Sequence, residues 1–310
     1  MVKRVFPYLG LLCAVVSVYI FIVNVPIKHN YINTFNQYNS HSALITSHRF
    51  RNARPTIDYL DDVSLKNEAY DVLDPHNQIR MATYNIHSAI NPDGIVDVET
   101  VIEEIRQMDV DVIGLQEVDK FIYRSGFGNQ AKVIADGLGM NYVYGETINI
   151  LGIKYGNALL TKHEIIDWNN FKIPGFGELR GLLRCKISIN GVHYNVFVTH
   201  LGLSYGERVK QIQALNEYMS IYDTRVVLMG DFNAQGFYPE MELLDTRMKD
   251  TAVIFDKEHI NTFPFRNGQG GEADARTDYI FVTDDIRVVD YKVIPTLTSD
   301  HHKVMIVIHG

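Results

Sequence analysis

The chain is poor in cysteine, with two residues, Cys13 and Cys185, among 310. Cys13 lies in an apolar N-terminal run, so no intramolecular disulfide framework is expected. No paired Cys/His spacing offers a structural zinc site. No proline- or glycine-rich linker follows residue 79, so the rest of the chain reads as one domain. No Ser, Cys or Thr stands in a nucleophile motif, which argues against a covalent intermediate. Basic residues are also in deficit, 29 Lys+Arg against 37 Asp+Glu, for a net charge of −8. The excess acid falls beyond residue 78. Such a body repels a phosphate backbone at long range, so avid non-specific nucleic-acid binding is not expected. A hydrophobic content of 46% with 21% charged residues excludes a disordered or fibrous chain.

What is present begins with one long apolar run, residues 5–25. No charge lies between Arg4 and Lys28. The run has the length of a membrane span, is long for a cleaved signal peptide, and ends in a poor cleavage site. Lys3 and Arg4 favour a cytoplasmic N-terminus. The expected layout is a cytoplasmic tip and transmembrane signal anchor over 1–27, with residues 5–27 in the membrane. A stalk or spacer follows over 28–78, with a short helix at 59–73. A catalytic domain outside the cytoplasm occupies 79–310. The alternative is secretion after signal cleavage.

From residue 79 strand and helix signals alternate. A strand over 79–86 is followed by a helix capped by Asp97, with Val98, Val101, Ile102, Ile105 and Met108 on one face. A buried strand over 111–116 then ends at Glu117. The pattern returns: a strand over 193–199 ends at His200, a helix covers 207–220, and a strand over 225–230 ends at Asp231. This is an α/β chain. Two similar halves, with many β-rich stretches after residue 260, favour two packed sheets whose strand ends meet at one edge.

Polar clusters gather at those ends: Thr83-Tyr84-Asn85-Ile86-His87, Leu115-Gln116-Glu117-Val118-Asp119, Thr199-His200-Leu201, Gly230-Asp231-Phe232-Asn233-Ala234, Arg276-Thr277-Asp278-Tyr279-Ile280 and Ser299-Asp300-His301-His302. Any one of them reads equally well as a turn; together they do not. Carboxylate and amide oxygens suit a hard divalent cation, supplied by Asn85 and Glu117 from the first half and Asp300 from the second. The histidines and remaining acids suit activation of water and stabilisation of an oxyanion. The combination points to phosphoester hydrolysis by direct attack of water.

The order and spacing of these clusters resemble the endonuclease/exonuclease/phosphatase superfamily of metal-dependent phosphoesterases, over about residues 79–308. The subgroup it looks most like is bacterial hydrolases similar to neutral sphingomyelinases. That likeness rests also on Tyr155-Gly156-Asn157-Ala158-Leu159-Leu160, Arg180-Gly181-Leu182-Leu183, and His200-Leu201-Gly202-Leu203 followed by Glu207-Arg208. The resemblance implies a four-layer α/β sandwich, two packed mainly antiparallel β-sheets flanked by helices. It also implies a catalytic Mg²⁺, with Mn²⁺ as substitute. Asn85 and Glu117 then look like the metal pair, with Asp300 near the metal. Asp231 looks like the acid that orients or deprotonates water, and Asn233 like its helper. His200 would contact the phosphate. His301 would contact phosphate or move a proton, oriented by Asp278. Thr277, and His302-Lys303 after Asp300-His301, depart from the family pattern without removing a catalytic side chain.

Three more residues have two readings each. Arg180 binds phosphate or pairs with Glu178; His87 approaches the metal or is simply hydrogen-bonded; Asn157 contacts substrate or caps a turn. Trp168, Phe171 and Phe176 are expected in a loop folded on its own core, with lipid contact as the other reading. His302 is expected outside the site, on the opposite strand face from His301. The expected substrate is a phosphodiester or a phosphomonoester, the diester favoured, with a lipid headgroup as one source of it. Nucleic acid is the enzymatic alternative, and a membrane-tethered binding protein without catalysis is the alternative of another class. The sequence sets no oligomeric state.

Overall fold

The computed structural model describes residues 77–175, 178–267 and 271–310. The expected anchor, the stalk up to residue 76, the helix at 59–73 and Phe176 lie outside the described residues, while Gln78, taken as the end of the stalk, already belongs to the first strand. Among the described residues no helix is long and apolar enough to cross a membrane.

The elements run β1 (Gln78–Asn85), α1 (Val98–Met108), β2 (Val112–Lys120), α2 (Gln130–Leu138), β3 (Asn141–Ile150), β4 (Ile153–Thr161), β5 (Glu164–Ile173), β6 (Arg180–Ile189) and β7 (Val192–His200). They continue with α3 (Tyr205–Met219), β8 (Val226–Asp231), β9 (Met248–Asp250), α4 (Thr251–Ile254), β10 (Asp278–Thr283), β11 (Val288–Ile294) and β12 (Lys303–His309). One six-stranded sheet has the order β11-β12-β1-β2-β4-β3, the other β5-β6-β7-β8-β10-β9. Each sheet holds one parallel pair, β1 with β2 and β7 with β8. Each such pair is joined through a helix, α1 or α3.

Period-two alternation builds the layers. Ile79 and Met81 of β1 point between the sheets, where Val227 and Met229 of β8 meet them. Ala82 and Tyr84 point the other way, under Val101, Ile105 and Ile134 of α1 and α2. Val226 and Leu228 pack under Ile212 and Leu215 of α3. The sheets approach so closely that a Cβ on Gly114 would lie 2.9 Å from both Met229 Sδ and a Val198 methyl. The result is the four-layer sandwich. Asp97 caps α1 as the sequence predicts, accepting from the Thr100 amide at 2.9 Å.

Three local expectations change. Helix α3 begins at Tyr205, and β2 runs through Glu117 to Lys120. Trp168 and Phe171 sit on strand β5 and not in a loop: Trp168 is exposed on this edge strand, and Phe171 stacks on Tyr218.

Candidate active site

The C-terminal ends of the two parallel pairs carry the polar clusters to one edge. Asn85, His200 and Asp231 are the last residues of β1, β7 and β8. Asp278 opens β10 directly opposite Asp231, and His200 pairs in register with Asp231. Glu117 reaches the same edge by a bulge. Between the pairs Leu115↔Ala158 and Val118↔Gly156, Gln116 and Glu117 oppose Asn157 alone. Glu117 is left-handed there (φ 57°), an unusual state for this residue type that re-aims its carboxylate. Gly230 (φ 149°) admits no side chain, since a Cβ would lie 1.9 Å from the Thr199 carbonyl oxygen. That contact lets β8 lie against β7 just before Asp231.

Asp231 is the hub. Its Oδ2 accepts from Asn85 Nδ2 at 3.0 Å and lies 3.4 Å from His200 Nε2 and 3.6 Å from His301 Nε2. Its Oδ1 accepts from the Asn233 amide at 2.8 Å. Asn85 Nδ2 also donates to Glu117 Oε1 at 3.0 Å. Behind His301, Asp278 Oδ2 lies 2.9 Å from Nδ1 and accepts from Thr262 at 2.6 Å and Thr277 at 3.1 Å. The unusual Thr277 is thus part of the network. Phe263 stacks on the His301 ring at 4.4 Å. His200 Nδ1 lies 2.9 Å from Arg180 Nη1. An arginine only donates, so Nδ1 accepts and the ring proton sits on Nε2, toward Asp231 Oδ2 at 3.4 Å. Arg180 also pairs with Glu178 at 2.9 Å, the structural one of its two readings.

Burial and charge set the protonation pattern. Burial and then the Arg180 charge push His200 well below its usual range, so it is neutral. Burial also opposes a charged His301, but Asp278 and Asp231 outweigh it and hold the ring well above its usual value. Burial raises the Asp231 carboxyl to about 7, against the pull of His301. Asp231 and His301 therefore titrate as one pair. Burial would raise Glu117 too; His87, His200 in acid, and the Asn85 amide bring it down to about 2.

The remaining expected residues are placed as follows. Asp300 Oδ1 faces Ser299 at 3.4 Å and His87 Nδ1 at 3.9 Å. His87 also approaches the Ile90 carbonyl at 3.3 Å. Asn157 does not cap a turn: it is buried inside β4 and donates to the Gly181 carbonyl at 3.3 Å. His302 lies outside the acid–histidine cluster, but not by strand alternation, since β12 starts only at Lys303.

A further residue, which sequence reasoning passed over, fastens the loop that carries Asp300 and His301. Glu104 of α1 accepts from the Leu297 amide at 2.8 Å, from Thr296 at 2.8 Å and from Thr298 at 3.0 Å. It also accepts from the Tyr84 hydroxyl at 3.1 Å and pairs with buried Lys303 at 3.0 Å. Thr262 and Phe263 were passed over too, because their segment shows no periodicity. Arg124, which grips buried Asp119 through two bonds of 2.8 Å, is the other omission.

A carboxylate-rich edge with an amide, closed by a neutral and a charged imidazole, is the equipment of metal-assisted phosphoester chemistry. The family described as endonuclease/exonuclease/phosphatase matches residues 82–301. The chain belongs to the endonuclease/exonuclease/phosphatase family. Members of this family are typically hydrolases of phosphoester bonds and generally depend on a divalent metal. Among solved structures, the human Nocturnin catalytic domain with bound sulfate is 17% identical, covering 75% of this chain and 94% of that one at a TM-score of 0.58. TDP2 from Caenorhabditis elegans is 18% identical, covering 75% and 74% at 0.59. A family protein from Beutenbergia cavernae is 22% identical, covering 75% and 72% at 0.58. At these identities the likeness is one of fold. Protein cwh43 of Schizosaccharomyces pombe is 26% identical over 149 residues, 47% of this chain. The chain spans 15% of the length of that curated relative.

The donor set fits a divalent cation. Glu117, Asp231, Asp278 and Asp300 bring more negative charge to the edge than Arg180 and His301 offset. Asp278 Oδ1 is buried without a hydrogen-bond partner. Asp231, Asp278 and His301 also present ligand atoms within 4.8 Å of one another, a different trio from the Asn85, Glu117 and Asp300 expected from the sequence, and His301 would have to give up a proton to ligate a metal.

Proposed function

We propose that the protein is a membrane-anchored, Mg²⁺-dependent phosphoesterase that hydrolyses a phosphodiester, with a lipid headgroup as its substrate, by direct attack of water. The observation that carries the chemistry is the contact set of Asp231, whose Oδ2 accepts from Asn85 and lies within 3.4 Å of His200 Nε2 and 3.6 Å of His301 Nε2. The neutral-sphingomyelinase-like motifs and the apolar run at 5–25 support the lipid and the anchor.

Glu117 and Asn85, with Asp300 nearby, would hold the ion, Mn²⁺ serving as substitute. When bound, it supplies Lewis-acid charge against the phosphate oxygens. The chain's own residues do the rest. Asp231 accepts the proton of the attacking water, and the Asn233 backbone fixes its carboxylate. Charged His301, braced by Asp278, donates toward the phosphate or the leaving group. Arg180 and the Nε2 proton of His200 face the negative charge that grows in the transition state. Asp278 fixes the orientation and charge of His301, as the buried acid of a hydrolase triad does for its histidine.

The test offers sphingomyelin, phosphoinositide and plasmid DNA vesicle or solution assays to the full chain with Mg²⁺. The lipid reading expects headgroup release without DNA nicking. Nicking of DNA alone would replace it by the nuclease reading.

A further inference from the structure

Large apolar side chains stand in left-handed backbone at Phe121 (φ 62°), Phe127 (φ 61°) and Leu151 (φ 51°). The same three are exposed, at 47%, 59% and 102%. A bulky residue in this conformation is strained, and turns normally place glycine or asparagine there. Leaving the side chain in water returns nothing to the fold. Two costs at the same residues mark a surface kept for contact.

The topology sets these residues beside the site. β4 runs antiparallel to β2 with Lys154 opposite Lys120, so the β3–β4 tip at Leu151 projects past the end of β2 that carries Glu117. Phe121 follows Lys120 directly, and its loop is closed by the Phe121 amide on Gly128 at 2.7 Å and the Phe127 amide on Ile122 at 2.8 Å. Within this loop Arg124 turns inward to Asp119, while Tyr123, 69% exposed, meets Phe127 edge to face at 5.6 Å. The loop thus has a buried polar anchor and an outward apolar face.

We propose that Phe121, Tyr123, Phe127 and Leu151 form a patch that docks on the interface of a lipid bilayer, turning the acid–histidine edge toward the headgroups. The proposal rests on the membrane-anchored reading above. The apolar run at 5–25 brings a bilayer to the same chain. Phenylalanine, tyrosine and leucine without a carboxylate suit the interfacial zone, and the acidic body disfavours a nucleic acid as occupant.

The test uses the full chain carrying Cys13→Ser, with Cys185 left in place because it is buried. Phe127→Cys, Leu151→Cys and Ile221→Cys each receive an environment-sensitive fluorophore. Ile221 is 75% exposed and precedes β8, at the edge opposite the site. Each protein is reconstituted in phosphatidylcholine vesicles containing spin-labelled lipid. The expected result is a blue shift at 127 and 151 with quenching several-fold stronger than at 221. Equal quenching at all three positions, or none at 127 and 151, overturns the proposal. A blue shift without lipid quenching also overturns it, because a protein would then cover the patch. The readout needs no turnover, so its failure and a failure of the proposed chemistry are told apart.

Discussion

Asp278 illustrates how a single side chain acts through its neighbour. It spends one oxygen on His301, Thr262 and Thr277 and leaves the other bare. Asp278→Asn keeps an acceptor oxygen but removes the charge that holds His301 protonated. Steady-state kinetics should show kcat lower by about 10²–10⁴-fold with KM within a few-fold. An equal rise in KM with kcat unchanged would mean that Asp278 only binds. Gly230 is the structural counterpart. Gly230→Ala forces a methyl group onto the Thr199 carbonyl and should cost at least about 3 kcal/mol in chemical denaturation. At this scale the sequence was informative where a residue type has few uses. Asn85, Glu117, His200, Asp231, Asn233, Asp278 and His301 do converge. Glu104 gave no signal, because a glutamate beside an apolar helix stripe looks like any solvated one.

At the scale of elements, strand ends and helix faces were readable from periodicity, but the bulge was not. A two-against-one pairing at Gln116 and Glu117 depends on β4, a distant partner. The left-handed Glu117 leaves no mark in composition. The loop before β12 was likewise opaque, since its conformation is fixed from α1 by Glu104. The Leu297 amide and the Lys303 charge outweigh burial and hold the Glu104 carboxyl below its ordinary value. A depressed carboxylate stabilises the fold above its unfolded pKa, and that contribution is lost as pH falls through the folded one. Glu104→Gln leaves Lys303 buried without its counter-charge and should cost about 3 kcal/mol at neutral pH. The difference from the parent should shrink as pH is lowered below 4.5. A difference independent of pH in denaturant titrations would contradict the ion-pair account. Because the clamp positions His301, kcat should fall about tenfold in the same variant.

At the scale of the whole molecule, two parallel strand pairs, one in each sheet, bring the chemistry to one edge. Two halves of similar pattern made this layout legible before any coordinates. The order of the strands within each sheet was not, because β10–β12 join the sheets from far along the chain. The central claim is that this edge is a metal-assisted hydrolytic site organised around Asp231. The most direct measurement is phosphodiester turnover by the full chain after chelation with EDTA and again after added Mg²⁺, beside Asp231→Ala under the same conditions. The account predicts loss on chelation, recovery with Mg²⁺, and a rate for Asp231→Ala lower by about 10³-fold or more with the fold intact by circular dichroism. Hydrolysis that survives chelation, or an undiminished rate in Asp231→Ala, would contradict it.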